Sequence, residues 1–263
     1  MASMNIDGNK LHYRCDGERG RPAVVLSNSL GTDLTMWDAQ ASVLATRFNV
    51  VRYDTRGHGG SVAQNGATPG PYTIELLGRD VLALLDHLDI ERAHFVGLSM
   101  GGVIGQWLGA NAPDRLHKLV LANTASKIGT EEGWRARAAS VRACGMADIA
   151  ASSPGRWFTP AFVERQAVVV GTMQKTVRGL DPEGYAACCE ALAVADLGQD
   201  LARIAAPTLV IAGADDPVTT VADGAALAAA IKGAKLATLP ASHLSNIEAP
   251  DRFTQAVTSF LLA

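Results

Sequence analysis

The chain has 263 residues, of which 48% are hydrophobic and 19% charged, and its formal net charge is -3. That apolar fraction supplies the core of one large domain and excludes a disordered chain, while the near balance of charge, free of long runs, excludes the basic footprint of a nucleic-acid binder. No apolar stretch approaches a membrane span, and Met1 to Lys10 lacks the basic and apolar regions of a signal peptide, so a cytoplasmic protein acting on a small molecule is expected.

Met4 to Arg14 reads as two short strands around the turn Asp7-Gly8, and Ala23 to Asn28 as a buried strand bounded by Pro22 and Ser29. Leu34 to Ala45 has helical spacing, Phe48 to Asp54 is strand-like, and Ile74 to Leu88 is helical again. Ala93 to Leu98 (strand), Met100 to Asn111 (helix, stopped by Pro113) and Leu119 to Ala122 (strand) continue the alternation, which implies parallel strands joined by right-handed crossovers. From Ser126 to Leu197 alanine-rich helical stretches follow one another without a convincing strand, the β-branched triplet Val168 to Val170 being too short to decide. Alternation resumes with Thr208 to Gly213 (strand), Val221 to Ile231 (helix), Lys235 to Leu239 (strand) and Pro250 to Leu262 (helix). The expected organisation is an α/β core over 1–125 and 198–263 with a helical cap inserted over 126–197. Cys15, Cys144, Cys188 and Cys189 match neither a metal-ligand spacing nor a disulfide framework and are read as free, structural thiols.

The sharpest local signal is Gly97-Leu98-Ser99-Met100-Gly101-Gly102, placed where an apolar strand gives way to a helix. Glycines flank Ser99 because a strand-to-helix turn this tight leaves no room for side chains, and the pattern is that of a nucleophile elbow. The free amide of Met100, at the positive end of the helix, is one donor to a developing oxyanion. The alternative is a glycine-rich turn that only lets the helix pack closely on its strand, or a degenerate dinucleotide loop, but the G-x-G-x-x-G order is missing, as is a phosphate-cradling G-x-x-x-x-G-K run.

A hydroxyl attacks only when a base takes its proton, and in this chain order the base follows the last strand. His243 is the histidine found there; His12, His58, His87, His94 and His117 all come too early. The carboxylate that orients it belongs between Ser99 and His243, after the strand Thr208 to Gly213. Asp215 and Asp216 both qualify; Asp216 is favoured, with Asp215 as a solvated turn residue. The loop Ser27-Asn28-Ser29-Leu30-Gly31 offers the second oxyanion amide, assigned to Leu30. Asp54 to Ser61 contains Arg56 between acidic and glycine residues, and is read as structural, with Arg56 buried against loop carbonyls and an acidic partner. In the insertion, Trp134 is a candidate wall of an acyl pocket, and Arg135 or Arg137 a candidate partner for a substrate carboxylate.

With elbow, acid and histidine in this order, the chain resembles the α/β-hydrolase superfamily over essentially its whole length. Ser27-Asn28-Ser29-Leu30-Gly31-Thr32, Asp54-Thr55-Arg56-Gly57-His58-Gly59, Gly97-Leu98-Ser99-Met100-Gly101-Gly102 and Gly105-Gln106-Trp107-Leu108 together resemble the 3-oxoadipate enol-lactonases. Where most of the superfamily has His-Gly at the oxyanion strand, this chain has Asn28-Ser29, and Trp134 with Arg137 is similar to that family's Trp-x-x-Arg stretch. The resemblance implies an enzyme that needs no cofactor and opens a carboxylate-bearing enol-lactone in protocatechuate or catechol degradation. A carboxylesterase, carbon-carbon bond hydrolase or perhydrolase of the same fold is the alternative within enzymes. A ligand-sensing receptor or interaction protein is the alternative outside them. The sequence leaves the oligomeric state open.

Overall fold

A computed structural model of the chain describes residues 2–6, 8–63 and 70–263; Asp7, assigned with Gly8 to the first turn, lies outside the described residues. Eight strands form one sheet: β1 (Ala2–Ile6), β2 (Asn9–Asp16), β3 (Ala23–Ser27), β4 (Asn49–Tyr53), β5 (Ala93–Leu98), β6 (Leu116–Ala122), β7 (Thr208–Gly213) and β8 (Lys235–Leu239). Their order is β1-β2-β4-β3-β5-β6-β7-β8, with β1-β2 and β2-β4 antiparallel and the remaining pairs parallel. Every residue of β3, β5 and β7 is buried, which is why these segments read as continuous apolar runs rather than alternating ones.

The helices follow the apolar spacing of the sequence. In α1 (Asp38–Leu44) and α2 (Ile74–His87) the buried positions fall three or four apart, and Thr73 caps α2 by accepting the amide of Leu76. The stretch expected as one helix from Leu34 begins instead as a 3-10 turn, Leu34–Trp37, because Asp33 caps it by accepting the amide of Thr35 and its last turn then hands over to α1. α3 (Met100–Asn111) is buried nearly all round and packs on α2, β5 and β6.

Between β6 and β7 lie α4 (Glu131–Cys144), α5 (Ala147–Trp157), α6 (Pro160–Arg165), α7 (Ala167–Arg178) and α8 (Pro182–Val194). The triplet Val168 to Val170 sits inside α7, whose buried residues Val170, Met173 and Val177 recur at helical spacing and override the β preference of three valines. α9 (Val221–Ala230), the short α10 (Ser245–Glu248) and α11 (Pro250–Leu262) complete the described chain, with α11 packed against α1.

From β3 the chain steps outward to β4, then returns to the other side of β3 for β5 and proceeds outward through β6, β7 and β8. The connections leaving β3 and β5 therefore diverge, and a crevice opens at their carboxyl ends, the place where open α/β sheets bind ligands.

Two glycine substitutions separate close packing from simple flexibility. A Cβ on Gly101 would lie 2.2 Å from the carbonyl oxygen of Ser27, whereas one on Gly155, within α5, meets nothing within 4 Å. Gly101→Ala is expected to lower the unfolding free energy in urea by about 1–3 kcal/mol, and Gly155→Ala to raise it by about 0.5–1 kcal/mol.

Candidate active site

Ser99 stands directly after β5 and at the N-cap of α3, with φ 57° and ψ -115°, a conformation costly for any residue with a Cβ. The turn is held by Ser99 N–H donating to the Ala122 carbonyl at 2.9 Å and by Thr124 Oγ1 donating to the Ser99 carbonyl at 2.8 Å. It closes this tightly because Gly97 and Gly101 touch backbone to backbone: a Cβ on Gly97 would lie 2.1 Å from the Gly101 carbonyl oxygen.

His243 follows β8 and is buried, with Nε2 2.9 Å from Ser99 Oγ and Nδ1 2.8 Å from Asp216 Oδ2. Asp216 Oδ1 accepts the amides of Val218 and Thr219 at 2.8 and 3.0 Å, and Oδ2 accepts Thr219 Oγ1 at 2.8 Å and Asn123 Nδ2 at 3.0 Å. Burial alone would raise the Asp216 carboxyl, but the hydrogen bond and charge of His243, joined by Asn123 and Thr219, hold it below the ordinary carboxylate value. Asp215 is exposed, and its amide donates to the Ala241 carbonyl at 3.1 Å.

Sequence reasoning missed Asn123. It directly follows β6 with φ 44°, donates to Asp216 and, at 3.2 Å, to the Ser242 carbonyl, and accepts Ser245 Oγ at 2.5 Å. One amide orientation satisfies all three partners. No local pattern marks such a residue, since its partners lie 93 to 122 positions away.

Ser27 of β3 pairs with Gly97 of β5, so the loop after β3 runs beside the Ser99 turn. Gly101 N–H donates to the Asn28 carbonyl at 3.0 Å and ties the two together. The side chain of Asn28 is buried and turned away, donating to the Tyr53 carbonyl and accepting Trp37 Nε1, each at 2.9 Å. The amides of Leu30 and Met100 enter no hydrogen bond among the described residues.

A cavity of about 390 Å³ borders Ser99, Leu30 and His243 on one side. On the other it is lined from the inserted helices by Trp134, Arg137, Arg156, Trp157 and Tyr185. Arg137 lies 4.7 Å over the Trp134 ring, and Trp134 Nε1 donates to the Ile128 carbonyl at 2.5 Å, which fixes both. Burial and the nearby Arg137 guanidinium push Arg156 below its ordinary value, although an arginine stays charged. Arg156 donates to Ser152 Oγ at 2.8 Å, and neither arginine meets a carboxylate among the described residues.

Arg135 is a correction. One residue from Trp134, it turns about 100° around α4 and leaves the cavity face, pairing on the surface with Glu131 at 2.8 Å. Arg156, from α5, lines the cavity where Arg135 does not. The signal for it, an arginine beside an aromatic within the helical block, is the same that singled out Trp134, whereas Tyr185 has no local signal.

Arg56 is buried and meets Asp80 through Nε at 2.5 Å and Nη2 at 2.7 Å, an acidic partner as the sequence suggested. All four cysteines are free, Cys188 and Cys189 buried and Cys15 and Cys144 exposed. Among the described residues no group of three His, Cys, Asp or Glu side chains is placed to hold a metal ion, and no helix is long and apolar enough to cross a membrane.

Residues 17–256 match the alpha/beta hydrolase family. The chain is 49% identical over 252 residues to 3-oxoadipate enol-lactonase 2 of Acinetobacter baylyi, covering 95% of this chain and 92% of that one. It is 45% identical to 3-oxoadipate enol-lactonase 1 of the same organism, over 98% of this chain and 95% of that one. The crystal structure of the enol-lactonase from Burkholderia xenovorans LB400 superposes with a TM-score of 0.96 at 48% identity, over 100% of both chains. The chain belongs to the α/β-hydrolase family and, within it, to the 3-oxoadipate enol-lactonases.

Proposed function

We propose that this protein hydrolyses 3-oxoadipate enol-lactone to 3-oxoadipate through an acyl-enzyme on Ser99. The observation that carries the reading is the continuous line Asp216, His243, Ser99, with contacts of 2.8 and 2.9 Å, ending at a cavity that holds two arginines without carboxylate partners among the described residues. The enol-lactonases among its relatives supply the substrate.

Ser99 Oγ attacks the lactone carbonyl while His243 Nε2 takes its proton, and Asp216 fixes the tautomer with hydrogen on Nδ1 and stabilises the imidazolium. The oxygen that becomes negative is received by the amides of Leu30 and Met100, the latter at the positive end of α3. The ring carbon–oxygen bond then breaks, His243 returns the proton to the leaving enol oxygen, and the enol tautomerises to the ketone. That leaving group remains tethered to the acyl chain. Water, deprotonated by His243, attacks the acyl carbonyl and releases Ser99 with a new carboxylate.

Arg137 and Arg156 hold the substrate's own carboxylate. Two guanidinium groups on one cavity wall repel each other, and an anion between them relieves that repulsion while anchoring the remote end, so that the carbonyl is oriented against Ser99. Residues 126–197 serve as a cap that closes the crevice and supplies this anion site. The pathway is the breakdown of aromatic compounds, in the cytoplasm where such intermediates are made.

Three measurements test the reading. Loss of enol-lactone absorbance is expected to slow by about 10⁴-fold or more in Ser99→Ala; a wild-type rate no faster than that variant, with aryl esters still turned over, would sink the lactone assignment. Asp216→Asn is expected to reduce kcat by about 10³–10⁴-fold through the wrong imidazole tautomer, with Asp215→Asn near wild type, and the opposite ranking would move the acid. Arg156→Met and Arg137→Met are each expected to raise KM for the lactone by about 10–100-fold, the worth of a hydrogen bond to a charged group, while neutral aryl esters are unaffected.

A further inference from the structure

The segment Asp54 to Ser61 follows β4, the neighbour of β3 in the sheet, and the reaction above makes no use of it. It is built with unusual care for a connection. Asp54 accepts the amides of Leu34 and Gly60, each at 2.7 Å, and Arg56 is anchored on Asp80 of α2. Gly57 packs backbone to backbone on Gly184 of α8, where a Cβ would lie 2.3 Å from the Gly184 Cα.

What this scaffold presents is the ring of His58, 1% exposed. Its Nδ1 lies 3.1 Å from the Arg56 carbonyl oxygen, and its Nε2 accepts the amide of Gly31 at 3.0 Å. A carbonyl can only accept and an amide N–H can only donate, so both contacts are satisfied by one species: neutral imidazole with hydrogen on Nδ1 and a lone pair on Nε2. Burial pushes His58 below its ordinary value against the opposing pull of the Arg56 carbonyl and of Asp54, Asp33 and Asp181, which keeps Nε2 an acceptor near neutral pH.

Gly31 follows Leu30 directly. Its φ of 87° is open to glycine, and the side on which a Cβ would stand is covered by Trp157 at 3.4 Å and Tyr185 at 3.5 Å. With its amide drawn to His58 on one side and its α-carbon covered on the other, the Leu30-Gly31 peptide has one orientation. Among the described residues the amide of Leu30 has no partner, and Leu30 stands at the wall of the cavity that contains Ser99.

We infer that His58 is a positioning residue for the oxyanion site, its Nε2 holding the Gly31 amide so that the Leu30 amide remains available to the oxygen that becomes negative. The inference rests on the reading of Ser99 as the nucleophile. It gives a buried histidine that lies too early in the chain to be the base a task in the same reaction.

The test uses two substitutions that divide the two bonds of the ring. In His58→Asn the amide reaches only as far as Nδ1 and can still donate to the Arg56 carbonyl, but it cannot reach Gly31. In His58→Gln the side-chain oxygen reaches the place of Nε2 and accepts from Gly31. Both are assayed on the enol-lactone and on p-nitrophenyl acetate, whose hydrolysis needs the same serine and oxyanion donors but no carboxylate. His58→Asn is expected to lower kcat by about 10–100-fold on both substrates, a fraction of what outright loss of an oxyanion donor costs, with KM within about threefold. His58→Gln is expected to recover most of the loss. Wild-type kcat in His58→Asn with only a lower melting temperature, or a His58→Gln no better than His58→Asn, would overturn the inference. Wild-type hydrolysis of the aryl ester without that of the lactone would instead count against the proposed substrate, leaving the role of His58 to be judged on the ester.

Discussion

The turn from β5 into α3 depends on backbone meeting backbone. Gly97 rests on the carbonyl of Gly101, and Gly101 on that of Ser27, at separations no side chain could survive. Because those three residues touch, the loop after β3 and the start of α3 are locked side by side. Ser99 is held there in an unfavourable conformation that the surrounding hydrogen bonds maintain. The strained turn at Ser99, the nucleophile of the proposed reaction, is thus a consequence of one packing constraint.

A second constraint couples the wall of the cavity to the loop that bears His243. The amide of Leu244, next to His243, donates to the Trp157 carbonyl at 3.0 Å, and Glu248 accepts the amides of Ser242 at 2.8 Å and Thr159 at 3.2 Å. Trp157 itself lines the cavity. The loop that bears His243 and the segment that joins α5 to α6 therefore cannot shift independently, and the contact of Gly57 with Gly184 adds another fixed point between sheet and insertion. Such rigidity suits a reaction whose geometry must be set before the substrate arrives.

Charge is arranged along the same line. Asp216 is the carboxylate at one end, kept ionised by five hydrogen bonds, and in the proposed reaction the imidazole it orients carries a transient positive charge. At the opposite wall Arg137 and Arg156 stand without acidic partners among the described residues. In the proposed reaction His243 takes the proton of Ser99, whereas the two contacts of His58 fit a neutral ring.

Much of this was legible in the sequence because it is local. The bounds of β5, α3, β7, β8 and α11 match their apolar patterns, and Gly97 to Gly102 marks its own turn, since steric exclusion acts between residues a few positions apart. Chain order further narrowed the base to His243 and the acid to two neighbours. What chain order left open, folding decided: Asp216 rather than Asp215 faces the ring, because the turn after β7 buries one and exposes the other. Arg137 faces the cavity and Arg135 does not, a matter of helix phase fixed by what α4 packs upon. Asn123, Tyr185 and the bond from His58 to Gly31 were beyond the sequence altogether, because each acquires its role from a partner distant in the chain, and only the closed sheet brings such partners within 3 to 4 Å.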